Sequence, residues 1–488
     1  MCGICGFYSK KRETLGNLIE MNNTLIHRGP NDHGEEIYAG RTSEYGIGLA
    51  QRRLSIIDLS VRGHQPMHSF DKRVSLVFNG EIYNFQELKE ELGDYPFQSN
   101  CDTEVIIAAY LKWGIRCVDR FNGMFAIALY DREDEALYLI RDRIGKKPLY
   151  YYLKDENIYF ASELKPLMIN PYFEKEINEK IISKYLYRQY INAPDSIFEN
   201  TYKLEPGGIL KFTKGKVEKW KYWDIADTYK AKHTTLTYEE ALCEFEVLMR
   251  EAIQKRMVAD VPVGEFLSGG YDSALVCALA QSLSDTPIRT YSIGFEEENL
   301  DEAPFAKQIA SHLGTTHTEH YISEEEMLNL VDSIPYYFDE PFADSSQICT
   351  MLVSELAKQD VTVVLTGDAG DEFFGGYTIY DKLLSAQKMN TLGSLLHYFY
   401  KIPGANKIKD FRTLSLPLKI AAESMDPNVK TQTGTAYYLN ILRNLLLCKK
   451  QICGLDPIEK KYEEQSWAYR RMLIDMDTYL PGDILCKV

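Results

Sequence analysis

Near residue 214 the texture of this 488-residue chain changes, and that change limits its possible folds more than any single motif does. Before it, short strand-like apolar runs end in turns. Val74-Ser75-Leu76-Val77-Phe78 leads into Asn79-Gly80, and Phe125-Ala126-Ile127-Ala128-Leu129-Tyr130 leads into Asp131. Residues 1–213 are therefore expected to form a sheet-rich first domain. A polar, lysine-rich stretch from Lys214 to Thr237 has little periodicity and is expected as a linker, 214–237. From Tyr238 helix and strand alternate: an amphipathic helix through Glu251, a buried strand ending at Leu267, a helix from about Ser273, a strand from Thr290 to Gly294. The β-branched run from Val361 to Thr366 then precedes a glycine-rich acidic turn. This order predicts a parallel α/β sheet in a second domain, 238–488, with its site at the strand ends.

Composition narrows the partners. Hydrophobic residues make up 45% of the chain and charged residues 26%, so a disordered, collagen-like or membrane protein is not indicated. The 55 Lys and Arg against 71 Asp and Glu leave a charge of −16, which repels phosphate backbones and anionic lipid; neither nucleic acid nor a membrane is expected as partner. The cysteines, Cys2, Cys5, Cys101, Cys117, Cys243, Cys277, Cys349, Cys448, Cys453 and Cys486, show no zinc-ribbon pairing. Reduced thiols and a cytoplasmic location fit that sparse usage. No signal peptide precedes Cys2 and no apolar run spans a bilayer, so the mature N-terminus is expected to follow Met1.

Removal of Met1 would place a thiol and a free α-amine on one residue, Cys2. An α-amine titrates near ~7.7–8.0 and a thiol near ~8.5, so the amine can accept the thiol proton without a histidine. Other readings of Cys2-Gly3-Ile4-Cys5 are a redox or metal pair, or a small buried start to a strand.

Further motifs follow in order: His27-Arg28-Gly29-Pro30-Asn31-Asp32, Arg53-Leu54-Ser55-Ile56-Ile57-Asp58, Gly63-His64-Gln65-Pro66, Asn79-Gly80-Glu81-Ile82-Tyr83-Asn84 and Asp102-Thr103-Glu104. Arg141-Asp142-Arg143, Lys147-Pro148-Leu149-Tyr150 and Phe160-Ala161-Ser162-Glu163 complete the set. Together they resemble the class II glutamine amidotransferases, which implies an Ntn-type αββα sandwich with Cys2 as nucleophile. A tetrahedral intermediate on a side-chain amide needs hydrogen-bond donors at its oxyanion, and Asn79 with the Gly80 N–H fits that need. A substrate α-carboxylate asks for a forked cation, which matches Arg53. The resemblance adds Asp102 and Glu81 for the α-ammonium and places Leu54, Ser55, Ile56 and Ile57 in the glutamine site. Taken singly, each charged residue here would more often be a surface ion pair. Gln51 stands where the family commonly has His, Asn31 replaces a common Asp, and Asn100-Cys101 replaces a common small pair.

Neither a Walker P-loop nor a dinucleotide fingerprint occurs. Leu267-Ser268-Gly269-Gly270-Tyr271-Asp272-Ser273 instead lies between a predicted strand and a helix, where backbone N–H groups can reach an anion at the helix N-terminus. A strand-to-helix turn without a ligand is the plainer reading of that run alone. It has companions, however: Ser292-Ile293-Gly294-Phe295, Asp339-Glu340-Pro341-Phe342-Ala343-Asp344-Ser345-Ser346, and the run from Thr366-Gly367-Asp368-Ala369-Gly370-Asp371 to Tyr377. With these the second half resembles the asparagine synthetase family, and the likeness covers nearly the whole chain.

The resemblance implies a Rossmann-like parallel α/β ATP-pyrophosphatase domain. Ser268, Gly269, Gly270 and Ser273 would hold phosphates, and Leu267, Ile293, Thr366 and Gly367 would neighbour the nucleotide. Asp272 and Asp371 would carry Mg2+, and Asp368 would lie near the acceptor or its adenylate. Ala274 stands where the family often has a second serine. The implied reaction takes glutamine, aspartate and ATP through a Cys2 thioester, ammonia passed inside the protein and an acyl-adenylate; relatives are often homodimers. Three alternatives stay open: another carboxylate acceptor, glutaminase activity alone, or nucleotide binding without turnover. The run from Tyr479 to Val488 resembles a segment that in the family continues into Asp-Arg and a helical region bearing a lysine for adenylation, so the resemblance implies a second domain incomplete at its C-terminus, whether as a trimmed chain or as a truncated product with glutaminase activity alone.

Overall fold

The computed structural model describes residues 1–39, 44–231, 235–295, 301–388, 461–462 and 464–487. Cys448, Cys453 and Val488 lie outside them, and the other eight cysteines are free thiols.

Two antiparallel six-stranded sheets build the first half. The first sheet runs β10 (Thr201–Lys203), β8 (Tyr150–Lys154), β9 (Asn157–Ala161), β1 (Gly3–Ser9), β3 (Gly46–Arg53) and β2 (Asp32–Ala39). The second runs β12 (Lys216–Lys221), β11 (Gly208–Thr213), β7 (Ala136–Arg141), β6 (Gly123–Asp131), β5 (Val74–Ile82) and β4 (Met67–His68). Side chains alternate along each strand, so one strand feeds two cores. Leu76 and Phe78 of β5, with Phe125, Ile127 and Leu129 of β6, pack beneath the helices Phe85–Glu91 and Asp102–Trp113. Val77, Ala126, Ala128 and Tyr130 face the other way, onto Ile4, Tyr8, Ile47 and Leu49 of the first sheet. Burial on both faces is why these antiparallel strands read as unbroken apolar runs. The helices Leu15–Asn23 and Leu164–Ile169 cover the far side of the first sheet over Phe7, Ala50 and Tyr159. The layers are αββα, and each fully buried Leu, Ile or Phe stabilises them by about 1.5–3 kcal/mol.

The stretch expected as a linker carries two elements. Lys216–Lys221 is β12, paired with β11 from Gly208↔Lys221 to Thr213↔Lys216. Ile225–Ala231 is a helix whose Ile225 and Ala226 pack on Tyr462, Leu473 and Ile474. The strand is polar because it is an edge with most of its side chains exposed, so no apolar alternation marks it.

In the second half the helix Tyr238–Arg256 opens on a capping box between Thr237 and Glu240, and ends with Lys255 and Arg256 at its negative pole. It runs one turn past Glu251. A four-stranded parallel sheet follows, ordered β15 (Thr316–Ile322), β14 (Arg289–Phe295), β13 (Val263–Phe266) and β16 (Val363–Leu365). The chain starts at β13, steps outward to β14 and β15, and returns to place β16 on the other side of β13. A switch in strand order therefore falls between β13 and β16, where a crevice opens at the carboxyl ends of the strands. Lys165 meets Asp339 at 2.5 Å and Lys203 meets Glu340 at 2.5 Å, joining the two halves through nearly buried ion pairs. Among the described residues no helix is long and apolar enough to cross a membrane.

Candidate active site

Cys2 immediately precedes β1, whose Gly3 is in register with Arg52 of β3. That pairing sets the Cys2 thiol against the residue that follows β3: Sγ donates to the Leu54 carbonyl at 3.6 Å and accepts the Leu54 N–H at 3.3 Å. The end of β5, from the facing sheet, brings in Asn79, Gly80 and Glu81. One pocket is lined by Cys2, Arg53, Leu54, Ile56, Ile57, Asn79, Gly80, Glu81 and Asp102. Ser55 is not in that lining; its N–H donates instead to Asn31 Oδ1 at 3.0 Å.

Asn79 is 1% exposed, and neither its Oδ1 nor its Nδ2 has a hydrogen-bond partner in the protein. Such an amide is rare unless a ligand completes it. Gly80 follows at φ 155°, and a Cβ there would lie 2.0 Å from the Met124 carbonyl oxygen, so only glycine lets the strand pass. The departure at Gln51 has a use: its Nε2 donates to the Phe78 carbonyl at 2.9 Å, tying down the residue before Asn79.

The pocket is polarised. The Arg53 guanidinium donates to the carbonyls of Ile57 and Ser60 at 3.2 Å and of Asp58 at 2.6 Å. With five N–H donors in all, it keeps two for a substrate carboxylate. The same pocket holds two buried carboxyls. Asp102 accepts the Ile82 N–H at 2.9 Å and is raised by burial. Glu81 is pushed up to about 7 by burial and by Asp102, and its Oε1 has no protein partner. Burial raises the Cys2 thiol, whereas burial and then Arg28 bring the terminal ammonium of Met1, one residue before it, down to about 5.

The ATP motifs meet at the switch point. The run 267–273 follows β13, Ile293 lies on β14, and 366–371 follows β16. Gly270 caps the helix Tyr271–Ser282 with no side-chain hydrogen bond, which leaves first-turn N–H groups for an anion. Ser268 and Ser273 share a hydroxyl contact at 3.1 Å, and the Asp368 N–H donates to Thr366 Oγ1 at 3.4 Å. A Cβ on Gly370 would lie 2.3 Å from Asp272 Oδ2, so the two loops touch through this carboxylate. Burial and then Asp371 raise Asp272. Two repelling carboxylates are a fit for a divalent cation. Among the described residues no cluster of three or more His, Cys, Asp or Glu occurs, so such an ion would draw its other ligands from phosphates and water.

The pocket also contains residues to which sequence reasoning gave no role: Gln65, Phe78, Cys101, Thr103, Met124 and Lys147. Gln65 takes the Phe78 N–H at 2.7 Å and donates to Thr103 Oγ1 at 3.1 Å. Gln65, Thr103 and Lys147 lie inside the ordered motifs, which was the available signal; Met124 carried none. Met1 lines both this pocket and a second cavity between the halves, bounded by Arg28, Lys146, Glu163, Tyr337 and Glu340.

The fold is of the N-terminal-nucleophile amidotransferase class, αββα, joined to a parallel α/β domain. The glutamine amidotransferase domain model matches residues 1–223 and the asparagine synthase model residues 244–487. Putative asparagine synthetase [glutamine-hydrolyzing] 2 of Methanocaldococcus jannaschii is 39% identical over 77% of this chain and 76% of its own length. Asparagine synthetase [glutamine-hydrolyzing] 1 of Bacillus subtilis is 32% identical over 100% of this chain and 77% of its own length. Amidase chry2 of Gibberella zeae is 28% identical over 78% of this chain and 60% of its own. The chain belongs to the glutamine-hydrolysing asparagine synthetase family.

Proposed function

We propose that the chain hydrolyses glutamine at Cys2 and transfers the ammonia to aspartate activated by ATP. The observation that carries the reading is the single pocket that the Cys2 thiol and the unpartnered Asn79 amide share with Arg53, Glu81 and Asp102. Arg53 would take the α-carboxylate of glutamine, and Glu81 with Asp102 its α-ammonium. The thiol attacks the side-chain amide carbon while the α-amine of Cys2 accepts the thiol proton and returns it to the leaving nitrogen. Asn79 Nδ2 and the Gly80 N–H hold the oxyanion. Ammonia departs, and water hydrolyses the thioester to glutamate.

In the second half Ser268, Ser273 and the amides of Gly269 and Gly270 would hold the phosphates, with Leu267, Ile293, Thr366 and Gly367 around the adenosine. Asp272 and Asp371 would hold Mg2+, which neutralises phosphate charge when bound. The acceptor carboxylate, near Asp368, attacks the α-phosphorus and expels pyrophosphate; ammonia then attacks the acyl carbon and expels AMP. Ammonia released into water would be protonated and lose its nucleophilicity, so the cavity between the halves is the route assigned to it.

The test incubates the protein with glutamine, ATP, magnesium and aspartate, and quantifies glutamate, AMP, pyrophosphate and asparagine by mass spectrometry beside a Cys2→Ala control. Asparagine and AMP rising together, and glutamine-dependent synthesis vanishing in the control, support the reading. Glutamate without AMP overturns the synthetase half. Because the relative from Gibberella zeae is named an amidase, parallel arms replace aspartate with other amino-acid carboxylates; AMP appearing only there overturns aspartate as acceptor.

A further inference from the structure

Lys147 lies on the connection from β7 to β8 and is 5% exposed. Its main chain is pinned: its N–H donates to Asp142 Oδ2 at 3.0 Å, and its carbonyl accepts Arg141 Nε at 2.9 Å. The side chain therefore reaches the Cys2 pocket from a fixed base. Its Nζ donates to the Met1 thioether at 2.8 Å, and among the described residues it forms no ion pair. Arg28 also reaches the Met1 thioether, at 3.8 Å, but differs from Lys147 in being held as well to the Cys2 carbonyl at 2.9 Å and to Glu163 at 2.9 Å. A buried ammonium whose direct contact is to a thioether is costly, and packing alone would be served as well by methionine.

We propose that Lys147 is a positioning residue whose charge keeps the α-amine of Cys2 a free base once Met1 is removed. This deepens the reading of Cys2 as nucleophile and rests on it. The groups around the amine are Lys147, Arg28 after the helix Leu15–Asn23, Arg53 at the end of β3, Glu81 on β5, Asp102 and the Cys2 thiol. Glu163 and His27 are paired with each other at 3.0 Å, and Glu163 also with Arg28, so they answer Arg28 before the amine. A protonated amine would stand as a further cation beside Lys147 and Arg28, with Glu81 as the opposing charge. The same directions act on the α-amine of Met1, the terminal amine in this structure: burial and Arg28 lower it, the Cys2 thiol raises it, Lys147 lowers it further, and Glu81 raises it. Lys147 itself is brought down to about 8, first by burial, and remains a cation at pH 7.

The experiment measures glutamine hydrolysis against pH at saturating glutamine, using protein shown by intact mass to begin at Cys2. Bound substrate holds Glu81 ionised, so the acid limb of kcat reports the amine. Losing the cation makes the ammonium form easier: Lys147→Met and Lys147→Gln should move the limb up by about one pH unit, roughly a tenfold loss below it. Lys147→Arg should leave the limb where it is. Reading both neutral variants, each checked by thermal denaturation, keeps the test alive if one fails to fold. An unmoved limb in the folded neutral variant, or an arginine variant that shifts as much as methionine does, overturns the proposal. Glutamine hydrolysis persisting in Cys2→Ala would instead overturn the nucleophile reading beneath it.

Discussion

Lowering the pH from 8 to 6 should weaken glutamine binding through one side chain, Glu81. Burial, helped by Asp102, lifts its carboxyl from 4.5 to about 7, which corresponds to about 3 kcal/mol of disfavoured charge. Its Oε1 has no partner in the protein, so the charged form waits for a cation, and the α-ammonium of glutamine is that cation. The free Glu81 carboxyl is protonated below pH 7, and it must ionise to bind the α-ammonium. KM for glutamine should therefore rise about tenfold for each pH unit below 7 and level off above it. Glu81→Gln removes the titrating group; its KM should lie about 10-fold or more above the wild-type plateau, from the loss of about 1.5–3 kcal/mol of charged hydrogen bonding, and should be nearly flat with pH. The assay is steady-state glutamate release across this range in non-coordinating buffers. A flat wild-type KM from pH 8 to 6, or an unchanged slope in Glu81→Gln, would refute the reasoning.

Asn79→Ala should lower kcat for glutamine hydrolysis by about 10²–10³-fold with little change in KM, since the amide acts on the oxyanion; a KM effect alone would count against that role. Asp272→Asn and Asp371→Asn should abolish exchange of labelled pyrophosphate into ATP while glutamine hydrolysis continues, and loss of both activities would argue against separate sites. Glu265 on β13 is 2% exposed and raised by burial to about 7. As its folded value lies above its unfolded value of 4.5, ionising it costs stability as pH rises from about 4.5 to 7. Glu265→Met should melt higher than wild type by a margin that grows over that window to about 3 kcal/mol and then stays constant; a margin independent of pH would contradict this, as read by differential scanning calorimetry.

Residues taken a few at a time determined the order of elements, because hydrophobic period is a local property. The runs at Val74–Phe78 and Phe125–Tyr130 lie within β5 and β6, and the alternation after Tyr238 reads out as β13, β14 and β16. Only tertiary structure revealed β12, an exposed edge strand whose partners rather than its own residues make it a strand. The same holds for the site. The ordered motifs contain Cys2, Arg53, Asn79, Asp272 and Asp371, yet a list of motifs carries no distances. That Gln51 braces Phe78 and that Lys147 lies buried beside the chain start follow from packing two sheets face to face, and that Ser55 turns to Asn31 follows from the pairing of β2 with β3. Charge behaves likewise: Glu81 and Asp102 are ordinary carboxylates along the chain, and they become a pair with altered titration because folding removes water from between them.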